Sequence, residues 1–195
     1  MDSSIINHNQ STAYLELILG PMFSGKTSRL LEIYKQCTFC NISVAVINHS
    51  SDTRYDNETT LSTHDQQKIP CFSFTFLSEI ITHPFISQQQ VILINEGQFF
   101  EDLVSIVKIL LNQGKKIYIA GLDGDFQQNK FGTILDLIPI CDKVTKLNSL
   151  CSHCRDGTPG IFSMRLTHEK QQTLVGADNY IPVCRSCYHN YSTTH

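Results

Sequence analysis

Gly20-Pro-Met-Phe-Ser-Gly-Lys-Thr27, in one-letter form GPMFSGKT, fits the pattern GxxxxGK[ST] at every fixed position. Its glycines let the backbone turn so that successive amide N–H groups face phosphate oxygens, and the N-terminus of the following helix adds partial positive charge. Gly20, Pro21, Met22, Phe23, Ser24, Gly25, Lys26 and Thr27 are therefore candidate nucleotide contacts. Lys26 is suited to the β- and γ-phosphates and the Thr27 hydroxyl to Mg2+. The flanks agree with this reading. Tyr14 to Leu19 is a mostly apolar run of buried-strand length, and Ser28 to Gln36 carries Leu30, Leu31 and Tyr34 on one helical face.

The chain has 195 residues, room for one substantial core or one core with a small appendage. A hydrophobic fraction of 41% and a charged fraction of 17% suit a soluble globular protein, and no apolar run approaches the ~20 residues that span a bilayer. Residues 1–13 lack a basic start and a long apolar centre, so they read as a disordered tail and not as a signal peptide. A net charge of −3, with Lys and Arg scattered, argues against nucleic-acid binding. Eight cysteines without a secretion signal indicate thiols or metal ligands in a reducing, cytoplasmic setting.

Further strands follow the loop. Ile42 to Ile47 is rich in β-branched residues, which makes a βαβ unit and predicts that the first two strands run parallel. Cys37 and Cys40 form a CxxC at a helix end, where the dipole does not favour a thiolate, so they are read as structural. The polar loop from Asn48 to Asn57 leaves the carboxyl end of that strand, where ligands of open α/β sheets bind. Asp52 and Arg54 are candidates for metal-bound water and the transferring phosphate, a solvated ion pair being the equal alternative. Cys71 to Leu77 and Pro84 suggest a strand and a short helix. Val91 to Ile94 reads as a central strand ending at Asn95-Glu96, and Glu96 is placed to be the general base for an attacking hydroxyl. Glu101 to Asn112 is expected to be an amphipathic helix with Leu103, Val104, Val107, Leu110 and Leu111 inward and Gly114 as its stop. The strand Lys116 to Ala120 delivers Leu122 and Asp123 to the same edge. Phe126 and Phe131 in the following loop are suited either to stacking on a base or to packing on the core. Thr133 to Leu147 is expected to form a helix and then a strand.

The last segment changes character. Cys151 and Cys154, then Cys184 and Cys187, form two CxxC pairs, enough for a closed tetrahedral Zn2+ site of structural type, with His153 a bystander. The intervening 155–183 exceeds the ~15–20 residues common between such pairs, which suggests that the metal clips a long functional loop.

In this order, GPMFSGKT, DTRY at 52–55, THD at 63–65, EGQFF at 96–100, LDGDFQ at 122–127, Phe131-Gly132, the two CxxC pairs and GADNY at 176–180 resemble the type II thymidine kinase family over roughly 14–190. The resemblance implies an α/β, P-loop NTPase-like parallel sheet flanked by helices over 14–147. It implies a small zinc-ribbon-like domain over 148–192 that carries a lasso loop. The implied activity is transfer of the ATP γ-phosphate to the 5′-hydroxyl of thymidine. Glu96, Lys26 and Arg54 would be catalytic, and Asp52, Asn95 and Gln98 would join the P-loop around ATP and Mg2+. Met22, Phe99, Leu122, Phe126, Phe131, Ser163 and Tyr180 would line the nucleoside pocket, with Thr173, Leu174 and Val175 near the base. Such enzymes are generally homotetramers inhibited by thymidine triphosphate. Two departures stand out: the family has Asp where this chain has Asn95, and one glycine, Gly176, where it usually has two. An amide lacks the negative charge that holds Mg2+ and its waters, so weakened Mg2+ use is expected. A non-catalytic nucleotide-binding regulator is the alternative. A zinc-bearing NTPase acting on nucleic acid fits the acidic balance least.

Overall fold

The computed structural model describes residues 12–51, 60–62, 68–167, 169, 171–172 and 177–192. The expected tail at 1–13 lies outside the described residues apart from 12 and 13. Asp52, Arg54, Thr173, Leu174, Val175 and Gly176 lie outside them as well.

In chain order the elements are β1 (Tyr14–Leu19), α1 (Lys26–Phe39), β2 (Val44–His49), β3 (Thr60–Ser62), β4 (Lys68–Pro70), β5 (Phe72–Phe74), α2 (Glu79–Thr82), β6 (Val91–Ile94), α3 (Leu103–Asn112), β7 (Lys116–Gly121), β8 (Lys143–Lys146), β9 (Ser149–Leu150), β10 (Pro159–Gly160), β11 (Phe162–Arg165), β12 (Tyr180–Val183) and α4 (Arg185–Ser192). Six of the strands form one sheet in the order β5-β2-β6-β7-β1-β8, with every neighbouring pair parallel. β1 and β2 are parallel as expected, with β6 and β7 between them.

Alternation along the strands separates two cores. Leu15, Leu17, Ala45, Ile47, Ile92, Ile94, Ile117 and Ile119 face α3, α2 and the 3-10 helix Ile134–Ile140. Ile18, Val46, Leu93, Tyr118 and Ala120 face α1 and the β3–β4 hairpin. Because both faces are covered, the central strands tolerate only apolar runs, each fully buried Leu or Ile contributing about 1.5–3 kcal/mol. Glu16, 1% exposed on β1, accepts from Thr145 Oγ1 at 2.6 Å and faces Lys143, which compensates its burial.

Several local expectations shift. β2 runs two residues beyond the expected end, so Asn48 and His49 are buried strand residues and not the opening of a loop. The inward stripe of α3 is Leu103, Ile106, Val107 and Leu110, whereas Val104 and Leu111 are only partly buried. The helix stops where Gly114 takes a left-handed φ of 76°. Between Thr133 and β8 the chain winds as a 3-10 helix that contains Pro139, because proline interrupts an α-helical ladder. The hairpin β3–β4 gave no clear strand pattern in sequence.

Beyond β8 the chain builds two short antiparallel ladders, β9–β10 and β11–β12, closed by α4. Their small core is Cys151, Met164, Val183 and Cys184, with Phe162, Ile181 and Tyr188 packed against it. Among the described residues, no helix is long and apolar enough to cross a membrane.

Candidate active site

Three strands of the sheet end at one edge. From β1 the chain enters the loop at Gly20, where Phe23 (φ 61°) and Gly25 (φ 82°) are left-handed before α1 begins at Lys26. Alternating backbone handedness turns consecutive amides toward one concavity, the geometry that binds anions. Lys26 is buried, and its Nζ donates to Pro21 O at 2.6 Å. Ser24 Oγ is buried with no partner among the described residues, an unmet polar group that fits a phosphate oxygen.

From β6 come Asn95 and Glu96, 1% and 8% exposed. Glu96 sits at φ 54°, ψ 42°, a left-handed conformation uncommon for a residue with a side chain. Its carboxylate Oε2 accepts from Gln98 Nε2 at 2.6 Å. The other end of that amide, Oε1, accepts the Leu122 N–H at 3.0 Å, and a backbone N–H is a donor only, so the orientation of Gln98 is fixed. Gln98 therefore links the end of β6 to the end of β7 while holding Glu96. Asn95 Oδ1 lies 3.5 Å from Thr27 Oγ1, and Asn95 Nδ2 donates to Asn48 Oδ1 at 2.9 Å.

After β7, Asp125 organises the loop. Its Oδ1 accepts the Gln127 and Asn129 N–H groups, both at 2.9 Å, and its Oδ2 accepts Gln172 Nε2 at 2.9 Å. Phe131 is buried edge-on to Phe99, with ring centroids 5.5 Å apart. Phe126 has the Arg165 guanidinium 3.7 Å from its ring centroid, and its carbonyl accepts Tyr188 Oη at 2.6 Å.

Arg165, 4% exposed on β11, was missed in the sequence. Its guanidinium donates to Tyr180 Oη and to the carbonyls of Glu169, Gln171 and Gln172. It thereby fastens the described part of the long 155–183 segment to Phe126 and Tyr180. A lone arginine among apolar strand residues is the signal that could have marked it, since buried arginine requires many acceptors. Ser163, beside it, accepts the Met22 N–H at 2.9 Å and so joins the P-loop to β11. Gly20 to Thr27, Asn95, Glu96, Gln98, Phe99, Leu122, Phe126, Phe131, Ser163 and Tyr180 are thus linked through the ends of β1, β6 and β7 and through β11 and β12.

Cys151, Cys154, Cys184 and Cys187 bring their sulfurs within 4.8 Å of one another. Cys154 Sγ lies 3.8 Å from Cys184 Sγ and 3.6 Å from Cys187 Sγ. Tetrahedral Zn–S bonds of ~2.3 Å place sulfurs about 3.8 Å apart, so the cluster fits a structural zinc site. Cys37 is different in kind. It is wholly buried, and burial, reinforced by nearby Cys40, pushes its thiol up to about 11, which leaves it protonated and inert.

A family model described as thymidine kinase matches residues 13–188. The chain belongs to the thymidine kinase family. It is 42% identical over 176 residues to the thymidine kinase of Sheeppox virus (strain KS-1), covering 90% of this chain and 96% of that one. It is 39% identical over 184 residues to the thymidine kinase of Choristoneura fumiferana entomopoxvirus, covering 92% and 98%. Against the cytosolic thymidine kinase of Bos taurus the identity is 37% over 182 residues, covering 92% and 74%. The family match takes in both the P-loop and the four-cysteine cluster, so the chain is a kinase of this family with both features in place.

Proposed function

We propose that the protein is a thymidine kinase that moves the γ-phosphoryl group of ATP to the 5′-hydroxyl of thymidine, giving dTMP for DNA synthesis. Deoxyuridine is the second acceptor to test. The observation that carries this reading is the meeting of the P-loop with a buried, Gln98-held Glu96 at one sheet edge, in a chain matched to the family over 13–188. No feature of the described residues favours the non-catalytic regulator.

Glu96 takes the proton of the 5′-hydroxyl as the oxygen attacks the γ-phosphorus, the bond to the β-phosphate oxygen breaks, and ADP leaves. The Gln98 bond keeps the carboxylate aimed. The backbone N–H groups of Phe23, Ser24 and Gly25 and the ammonium of Lys26 hold the phosphates. Thr27 and Asn95 present oxygen atoms of the kind Mg2+ prefers, with the Thr27 hydroxyl at the start of α1 as in other P-loops. When bound, Mg2+ neutralises phosphate charge. Arg54 is proposed to contact the transferring phosphate and Asp52 the metal-bound water. Met22, Phe99, Leu122, Phe126, Phe131, Ser163 and Tyr180 are proposed to enclose the nucleoside, with Thr173, Leu174 and Val175 at the base. Excluding water there prevents futile hydrolysis of ATP.

We also propose a division into an ATP-binding domain at 14–147 and a zinc-bearing lasso domain at 148–192, homotetramer assembly, inhibition by thymidine triphosphate, and a cytoplasmic location. The relative from Bos taurus named cytosolic supports the last. The test is ADP formation from ATP and Mg2+ with thymidine, deoxyuridine or deoxycytidine as acceptor. Thymidine-dependent ADP formation is expected, and binding of thymidine without product would overturn the reading.

A further inference from the structure

We infer that Asn48 is a positioning residue for the Mg2+ end of the phosphate site: its side-chain carbonyl takes the NH2 of Asn95 and so turns the Asn95 carbonyl oxygen toward Thr27. The inference rests on the proposed reading of 20–27 as the site of ATP with Mg2+.

β2 and β6 are neighbours in register, with Ile47 opposite Ile94, so the next residues, Asn48 and Asn95, stand side by side. By alternation both follow Val46 and Leu93 on the face that α1 covers, which is where Thr27 lies. Both are buried, Asn95 at 1% and Asn48 at 7% exposure. Asn95 is also pinned by its main chain, because its N–H donates to Ile47 O at 2.8 Å.

The two ends of an amide have the same shape and opposite polarity. A carboxylate at position 95 would present oxygen in either rotamer, but an amide must be oriented. The Thr27 hydroxyl has one proton and two lone pairs, so a lone pair given to a cation leaves the proton to be donated. Asn95 Oδ1, 3.5 Å away, is the oxygen that faces it. With the NH2 there instead, a donor would confront both the hydroxyl proton and the cation. The favourable rotamer turns Asn95 Nδ2 into the interior, where a donor without a partner is costly. Asn48 Oδ1 removes that cost by accepting Nδ2 at 2.9 Å. A joint flip of both amides would keep their mutual bond but aim the Asn95 NH2 at the cation, so bound Mg2+ selects the arrangement that Asn48 makes available.

The experiment is calorimetric titration of the full chain with ADP, in Mg2+ and in EDTA, taking the ratio of the two affinities. Asn48→Leu keeps the volume and removes the acceptor, and the ratio is expected to fall about tenfold, the usual scale for losing the partner of a metal-facing ligand. Its affinity for ADP in EDTA is expected to stay within about twofold of the parent, because the P-loop contacts to phosphate remain. Asn48→Asp keeps an acceptor, so its ratio is expected at or above that of the parent. In an Asn95→Asp background, Asn48→Leu is expected to leave the ratio of that background intact, since no amide needs orienting. The inference is overturned by an unchanged ratio in Asn48→Leu, by an equal loss in both backgrounds, or by a loss in Asn48→Asp as large as in Asn48→Leu. If the parent itself binds ADP equally in Mg2+ and in EDTA, the nucleotide–metal reading fails first and takes this inference with it.

Discussion

Glu96 combines three properties that a surface carboxylate lacks: burial, a left-handed backbone, and an amide partner whose orientation the Leu122 N–H fixes. Backbone strain of this kind persists only where surrounding contacts enforce it, and the 3-10 turn Gly97–Phe99 follows Glu96 directly. Glu96→Gln keeps the shape and removes the proposed base. It is expected to lower kcat by about 10²–10⁴-fold, with thymidine affinity and melting temperature nearly unchanged, as steady-state kinetics and thermal melts will show. Activity near the parental level would remove Glu96 as the base. Cys37 makes the opposite case. Burial pushes its thiol up to about 11, which keeps it protonated near neutral pH, and its wholly buried side chain leaves reagents no access. Maleimide labelling followed by peptide mass mapping is expected to spare Cys37 in the native protein and modify it in urea. Rapid native labelling would contradict the structural reading of this CxxC.

At the scale of elements, the turn after Phe131 shows how the site is braced. Gly132 has φ 59°, and a Cβ there would stand 2.1 Å from Gln98 O. Gly132→Ala is expected to destabilise the fold by at least ~2 kcal/mol, the sum of left-handed strain and the clash, and to lower activity further by displacing Gln98 from Glu96. Chemical denaturation with parallel kinetics measures both. The four cysteines act at the same scale. Two come from the turn at Cys151–Cys154 and two from Cys184 and the first turn of α4, where Cys187 N–H donates to Cys184 Sγ at 3.5 Å. The parent is expected to carry about one zinc per chain, and Cys184→Ala essentially none, since a structural site needs all its thiolates. Metal analysis and a lower melting temperature are the readouts. Full zinc content in Cys184→Ala would exclude this cluster as the site.

Across the whole molecule, contacts bind the part of the chain beyond β8 to the sheet edge that carries the P-loop. Ser163 receives the Met22 N–H, Gln172 reaches Asp125, Tyr188 reaches the Phe126 carbonyl, and Arg165 gathers three carbonyls and Tyr180 while covering Phe126. Removing zinc is therefore expected to weaken thymidine binding far more than ADP binding, since the P-loop belongs to the large sheet. Arg165→Ala is expected to do the same while keeping its zinc, with a loss of about tenfold or more in thymidine affinity, because a buried hub of several charged hydrogen bonds is lost. Calorimetry with each ligand separates the two effects. Equal losses for both ligands would mean that the zinc-side part and the P-loop unfold together.

The sequence by itself determined the P-loop, the parallel sheet, the second CxxC framework and the position of Glu96, because each is a local pattern: a run of apolar residues, a glycine spacing, a thiol pair or a strand end. It misplaced the end of β2, because Asn48 and His49 look like loop residues until the strands beside them are known. It also left Arg165, Asp125 and Gln172 without roles, since their partners lie far along the chain. Tertiary structure alone decided which end of the Asn95 amide faces Thr27, which residue holds Glu96 and what fastens the long segment. The physical reason is that amide orientation and buried charge are settled by hydrogen-bond partners brought from other elements, and no local spacing encodes them.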